Sequence, residues 1–340
     1  PAFSSRRRHT RLGRWSRGLG DVYKRQDLVS GETLWTVRTG ASPVRTWAQD
    51  LDGDGVDELL VQCYCPENGV SGEGMTDAGT CYIICLDQSG NILWKKRSLG
   101  VHLGALSAMT DVTGDGRPEV VCVWSSGQYM DMGYASVVSP GGRTLAERSD
   151  LGGLYGMTVA DFDGDGDDEI VSGGPEGSVV MLDGDLELVA GFTDTVDFTR
   201  VPNWRSRKRV YPDIREVELE QCFQRVIPIA SFDLDGDGDI EIIGLSIAWA
   251  HVEWASHNRD TMRPPRSDLV VLDSELNEEA RVVIHERDWG FEQVPFDVPA
   301  SLRLEVYPVD VDGDGVKEVL LCAVSRGLQV FKVTPAGGER

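Results

Sequence analysis

Nine-residue acidic stretches recur five times along the 340-residue chain: Asp50–Glu58 (DLDGDGVDE), Asp111–Glu119 (DVTGDGRPE), Asp161–Glu169 (DFDGDGDDE), Asp233–Glu241 (DLDGDGDIE) and Asp310–Glu318 (DVDGDGVKE). Oxygen side chains stand at positions 1, 3, 5 and 9. They are Asp50, Asp52, Asp54 and Glu58; Asp111, Thr113, Asp115 and Glu119; Asp161, Asp163, Asp165 and Glu169; Asp233, Asp235, Asp237 and Glu241; and Asp310, Asp312, Asp314 and Glu318. Only Thr113 is not a carboxylate. Hard oxygen donors at this density suit a hard divalent cation, and Ca2+ best. The two glycines in each stretch let the backbone turn sharply enough for alternate side chains to converge. Without a cation the carboxylates would repel one another. Up to five Ca2+ sites are therefore expected, and the Thr113 loop, one charge short, is expected to be the weakest.

Spacing decides the kind of loop. An EF-hand places a bidentate Glu at position 12, where this chain has Val61, Cys122, Ser172, Gly244 and Leu321. A dockerin-type loop fails for the same reason. Instead, Glu stands at position 9 and an apolar run follows at once, as in Leu59–Val61, Val120–Cys122 and Val319–Leu321. Strand, acidic loop, strand resembles the FG-GAP and VCBS repeats of integrin-alpha-like β-propellers, over roughly residues 27 to 335. The resemblance implies that position 7 adds a backbone carbonyl, here from Val56, Arg117, Asp167, Asp239 and Val316. It also implies an extracellular, cell-surface or periplasmic setting.

The loops need elements to hold them. After each one comes an apolar strand, a connector, a second apolar strand, a tight turn and an outer strand. The first unit reads Leu59–Tyr64, Tyr82–Leu86, a turn over residues 87–91, and Ile92–Lys95; the second continues with Ala135–Val138 and Thr144–Glu147; the third with Val179–Leu182 and Leu186–Val189. Gly, Asn and Asp in the turns and β-branched residues in the runs are hairpin grammar. Four-stranded units with periodic turn motifs predict an all-β protein, a β-propeller of four-stranded blades, with the variable distance between units taken up by loop insertions. Five blades carry the acidic loop, and the final unit shows three strands ending at Leu328–Val333. Asp27–Trp35 matches the turn and outer strand of a blade, so either it closes a five-bladed ring or the ring is larger and the chain a fragment of it. The larger ring is the expectation.

Residues 1–26 stand apart. They hold eight of the 33 basic residues and one of the 56 acidic ones, while the whole chain carries a net charge of −23. The stretch resembles translated sequencing-adapter sequence and is set aside as a non-native leader; a basic arm or a transit peptide is the other reading. The remaining acidity argues against nucleic-acid binding. No apolar run of about 18 residues offers a membrane span. Among the seven cysteines, Cys122 and Cys322 sit in apolar strands as packed thiols. Cys65 and Cys81 bracket a Gly-rich loop that a disulfide could close, with a zinc site from Cys63, Cys65, Cys81 and Cys85 as the alternative.

Strand parity places the insertions. The acidic loops join the first and second strands of each unit. The long insertions, at residues 66–80, 125–133, 192–224, 247–267 and 285–301, fall at second turns and blade links, on the opposite face. They concentrate Trp204, Arg207, Trp249, His251 and Trp254, side chains that could stack on sugars or bind an anionic polymer; the alternative is that they pack the insertions. Trp35, Trp47, Trp94 and Trp124 lie at strands and are expected to pack blades. No GxSxG elbow, HExxH or phosphate-binding glycine loop occurs. The expected function is a calcium-stabilised binding or adhesion propeller for a glycan or protein, and the chain leans away from an enzyme. The rival is a lyase similar in layout to the rhamnogalacturonan lyases, for which His102, His251 and His257 are the bases nominated.

Overall fold

The computed structural model describes residues 22–38, 42–64, 82–97, 105–126, 132–152, 154–174, 177–194, 222–253, 259–263, 266–286, 290–291, 304–311, 317–323 and 327–331. Every regular element among them is a β-strand. A hairpin of β1 (Val22–Gln26) and β2 (Thr33–Arg38) comes first. Three four-stranded antiparallel meanders follow: β3 (Ser42–Gln49), β4 (Glu58–Tyr64), β5 (Tyr82–Leu86) and β6 (Ile92–Arg97); β7 (Ala105–Thr110), β8 (Glu119–Ser126), β9 (Met132–Val138) and β10 (Thr144–Arg148); β11 (Tyr155–Ala160), β12 (Glu169–Gly173), β13 (Ser178–Leu182) and β14 (Leu188–Thr193). The fifth sheet contains β15 (Cys222–Phe232), β16 (Glu241–Glu253), β17 (Arg259–Arg263), β18 (Arg266–Leu272), β19 (Glu278–Glu286) and β20 (Gly290–Phe291). The sixth has three strands, β21 (Leu304–Val309), β22 (Glu318–Ala323) and β23 (Gly327–Phe331).

These sheets are the blades of a β-propeller, stacked face to face in chain order. Period-2 alternation in the middle strands shows how. Leu60, Ile83 and Cys85 pack forward against Val120, Cys122, Tyr134 and Val138 of the next sheet. Their neighbours Val61, Tyr82, Ile84 and Leu86 pack backward against Trp35 and Val37 of β2. Val121, Val123, Ala135 and Val137 then face Ile170, Leu182 and Leu186, and Val171, Val179 and Met181 face Val226, Ile242, Val270 and Leu272. Middle strands are thus buried on both faces, which is why they read as unbroken apolar runs. The outer strand β6 alternates half-buried and exposed residues instead. Among the described residues, no core cluster joins the last sheet back to the first.

Tight turns between third and fourth strands fasten each blade to the one before it. Gly90 (φ 82°) and Gly142 (φ 83°) end two of these turns. A β-carbon on Gly90 would lie 2.7 Å from the Trp35 ring, and one on Gly142 2.5 Å from the Trp94 ring. Each indole also donates to the same turn, Trp35 Nε1–H to the Gln88 carbonyl and Trp94 Nε1–H to the Pro140 carbonyl, both at 2.8 Å. At the equivalent place in the next two blades stand Leu186 and Leu276, at φ 64° and 65°. Their side chains are buried beside Val112 and Phe162, the position-2 residues of the preceding blades' acidic loops. Glycine suits this left-handed conformation; leucine is held there by what it buries. A buried charge cluster adds to the fastening of the fifth sheet: Arg281 of β19 meets Asp194, at the end of the preceding blade, at 3.0 Å and Asp268 of its own β18 at 3.2 Å.

Several expectations need adjusting. Val22–Gln26, within the stretch set aside as leader, form β1, paired with β2 from Val22↔Arg38 to Gln26↔Thr33; residues 1–21 lie outside the described residues. Asp27–Trp35 pairs within this hairpin and packs on the β3–β6 blade as the edge of a preceding blade. Leu186 belongs to a turn rather than to an outer strand, which begins at Leu188. The insertion at 247–267 is largely strand. Its alternating aromatic and aliphatic residues let β16 run on to Glu253, paired with β15 and then with β17.

Candidate metal centres

Each acidic loop joins the innermost strand of a blade to its second strand, so all five leave the blades at the same end. Inside a loop, side chains organise backbone. The position-1 carboxylate accepts two amides: Asp50 from Gly53 and Gly55, both at 2.8 Å, and Asp161 from Gly164 and Gly166 at 2.7 and 3.1 Å. Position 3 accepts from the position-5 amide, as in Asp54 N–H to Asp52 at 3.1 Å and Asp237 N–H to Asp235 at 3.2 Å. Position 5 accepts from position 7, with Val56, Arg117, Asp167 and Asp239 amides 2.8–2.9 Å from Asp54, Asp115, Asp165 and Asp237. Such Asx turns explain why Asp serves here and Glu would not.

The position-9 glutamate opens the second strand and points back under the loop. Glu58, Glu169, Glu241 and Glu318 each accept the position-2 amide, of Leu51, Phe162, Leu234 and Val311, at 2.6–2.9 Å. All are buried, as is Glu119. Three loops gather positions 1, 3 and 9 so that one oxygen from each lies within 4.8 Å of the others: Asp50, Asp52 and Glu58; Asp161, Asp163 and Glu169; Asp233, Asp235 and Glu241. Position-5 aspartates Asp54, Asp165 and Asp237 are exposed and stand outside these trios. In the Thr113 loop the hydroxyl replaces a carboxylate and donates to Glu119 at 3.2 Å. The Asp115 amide, with no position-3 carboxylate to reach, turns to Asp111 at 3.2 Å. Asp312, Asp314 and Val316 lie outside the described residues, while Asp310 and Glu318 flank them.

Electrostatics show what the trios lack. Burial, opposed by an amide bond and reinforced by the neighbouring aspartates, pushes Glu169 and Glu241 up to about 7. Burial likewise raises Glu119. A carboxylate that resists ionisation among carboxylates is a site short of positive charge. Oxygen-only donors, buried on one side and open on the other, fit Ca2+.

Neighbouring loops also touch, a feature the repeat pattern did not announce. The Asp168 amide donates to the Asp111 carbonyl at 2.9 Å, and Thr110 bonds the Asp168 carboxylate. Two blades on, the Lys317 amide and Nζ donate to Leu234 and Asp233 carbonyls, both at 2.9 Å. Position 8 makes these contacts, and no sequence signal marks it beyond its place in the repeat.

The remaining site candidates are placed as follows. Trp204, Arg207, Trp254, His102 and His257 lie outside the described residues. Trp249 and His251 sit in β16, opposite Phe223 and Thr261 respectively. Trp35, Trp47 and Trp94 pack between blades, as expected. Cys122 is a buried thiol. Cys85 is too, and burial pushes it up to about 12; it faces the next blade's apolar core, which removes it from any zinc quartet. Cys65 and Cys81 lie outside the described residues. Among the described residues, no helix is long and apolar enough to cross a membrane.

No family model matches the chain, and no curated protein matches it. Among solved structures it is similar to a protein of unknown function from Bacteroides caccae, at 11% identity and a TM-score of 0.36, covering 86% of this chain and 75% of that one. It is similar to the V. cholerae biofilm matrix protein Bap1, at 14% and 0.34, covering 95% and 75%. It is similar to BamB from Moraxella catarrhalis, at 9% and 0.41, covering 90% and 80%. At such scores the blades themselves, not these neighbours, define the fold.

Proposed function

We propose that this chain is a calcium-stabilised binding propeller of the FG-GAP/VCBS type, working outside the cytoplasm and recognising a glycan or protein through the face opposite its acidic loops. One observation carries the reading. All five acidic loops join first to second strands at one end of the blades, and the long insertions join strands at the other. One face is thus committed to cations and the other to variable connectors, the division expected when a rigid scaffold displays recognition loops.

The test is a quadruple variant, Trp204→Ala, Arg207→Ala, Trp249→Ala and Trp254→Ala, screened against a glycan array and surface proteins beside the wild type. Lost binding with unchanged calcium-dependent stability supports the reading. Lost stability with unchanged binding assigns these residues to packing. Unsaturated uronide products from pectic substrates would replace the binding role with a lyase.

A further inference from the structure

The core between the β3–β6 and β7–β10 blades is mostly apolar, yet a row of polar residues crosses it. Ser107, Cys122, Ser136 and Glu147 stand directly opposite one another in successive strands, from β7 to β10. Opposed residues share a face of the sheet, and Cys122 shows that this face meets the β3–β6 blade. A second row faces it. Gln62, Ile83 and Lys96 are opposed across β4, β5 and β6, and Ile83 packs toward the β7–β10 blade. At the outer strands the two rows join, where Lys96 Nζ donates to Glu147 and Thr144.

Inward from that junction the hydrogen bonds stop. Ser107 is 5% exposed, Ser136 0%, and Tyr134, on the same face, 8%. Ser107 and Ser136 flank the Cys122 sulfur, and Tyr134 stands near Ser136. Yet none of the three hydroxyls meets a hydrogen-bond partner in good geometry among the described residues. Sulfur is only a weak partner. Ser172 gives the contrast. It stands three residues past its loop glutamate, as Cys122 does, and its hydroxyl donates to the Gly156 carbonyl at 2.9 Å. Buried hydroxyls are as a rule bonded either to protein or to ordered water, and here protein does not serve.

We propose that this seam is a buried water site, with ordered water hydrogen-bonded to Ser107 and to Ser136 on either side of Cys122. Two waters are needed, because the serines stand two strands apart, about 9–10 Å, beyond the span of one. A buried water needs two or more polar partners. The Cys122 thiol lies between the two positions, the Tyr134 hydroxyl stands near Ser136, and Gln62, 1% exposed, brings an amide to the facing row. Burial pushes the thiol up to about 12, so it stays protonated and keeps a hydrogen to donate. The site is independent of the acidic loops and of any cation in them.

Crystal structures of the wild-type chain and of Ser136→Ala, at a resolution that shows ordered solvent, test this. The wild type is expected to hold buried water within roughly 2.6–3.2 Å of both Ser107 Oγ and Ser136 Oγ. Ser136→Ala should lose the water at its own position and keep the one at Ser107. Absence of water from either wild-type hydroxyl, or serines turned onto backbone carbonyls, overturns the proposal. Thermal melting gives a second reading that needs no crystal. Ser107→Ala/Ser136→Ala is expected to melt about 2–4 °C below the wild type, since two bonded hydroxyls are lost. A double variant that melts at or above the wild type also overturns the proposal, because removing buried hydroxyls that bond nothing costs no stability.

Discussion

Calcium should stabilise this protein more at pH 8 than at pH 5, and the size of the difference follows from two glutamates. Glu169 and Glu241 are 5% and 6% exposed, and without a cation they titrate at about 7 rather than at the usual 4.5. A folded-state value above the unfolded one means that the stability these groups contribute is fully present below about 4.5 and is lost as pH rises through 7. The calcium-free protein should therefore weaken between pH 5 and pH 8. Groups with lowered values, such as Asp87 and Glu147, change only in more acid solution and leave this window clear. At about 1.4 kcal/mol per pH unit, each glutamate accounts for roughly 3 kcal/mol at full strength, or about 5 for the pair after some relaxation. Bound calcium supplies the opposite charge that these buried carboxylates lack. At about 2 °C per kcal/mol for a chain this long, the calcium-induced rise in Tm should be roughly 10 °C larger at pH 8 than at pH 5. The assay is scanning calorimetry on protein stripped by chelating resin, with and without millimolar calcium, at both pH values. An equal rise at the two pH values, or a stripped protein that grows stronger from pH 5 to pH 8, would refute the argument.

Two further substitutions probe the fastening of blades. Gly142→Ala places a methyl group 2.5 Å from the Trp94 ring at φ 83°; a loss of about 2 kcal/mol or more in urea unfolding is expected, against a few tenths for Gly141→Ala, whose β-carbon meets open space. Arg281→Met removes the guanidinium from beside Asp194 and Asp268, whose side chains are 0% exposed, and should cost about 3–5 kcal/mol in the same assay; a loss under about 1 kcal/mol would show that these ion pairs contribute little.

Much of the blade was legible because its signals are local. Tyr82–Leu86 was read to the residue, since an apolar run between a Gly-rich connector and an Asp-led turn has few other readings. The acidic loops were legible because Asx chemistry fixes both residue type and spacing. Leu186 was misread as strand, because a leucine at positive φ is dictated by the pocket beneath the previous blade and by nothing in its own segment. The contact of Asp167 with Gly114 of the preceding blade's loop was hidden for a related reason. Asp167 and Asp239 look alike in the repeat, and only the docking between blades separates them. Strand in the 247–267 insertion was missed because its partner residues at the start of β15, 222–224, close a segment that read as a link between blades.

The position-2 residue of each acidic loop makes one last point. Leu51, Val112, Phe162 and Leu234 are 2–5% exposed, each lodged against the blade that follows, whereas Val311 in the final sheet is 58% exposed. Every sheet therefore borrows half its interior from a neighbour, and its free energy is a nearest-neighbour sum rather than a property of its own. Loss of one sheet then uncovers a face on each sheet it touches. Amide exchange in β8 and β12, whose sheets are packed on both faces, would then report on the integrity of their neighbours and not on the composition of either sheet alone.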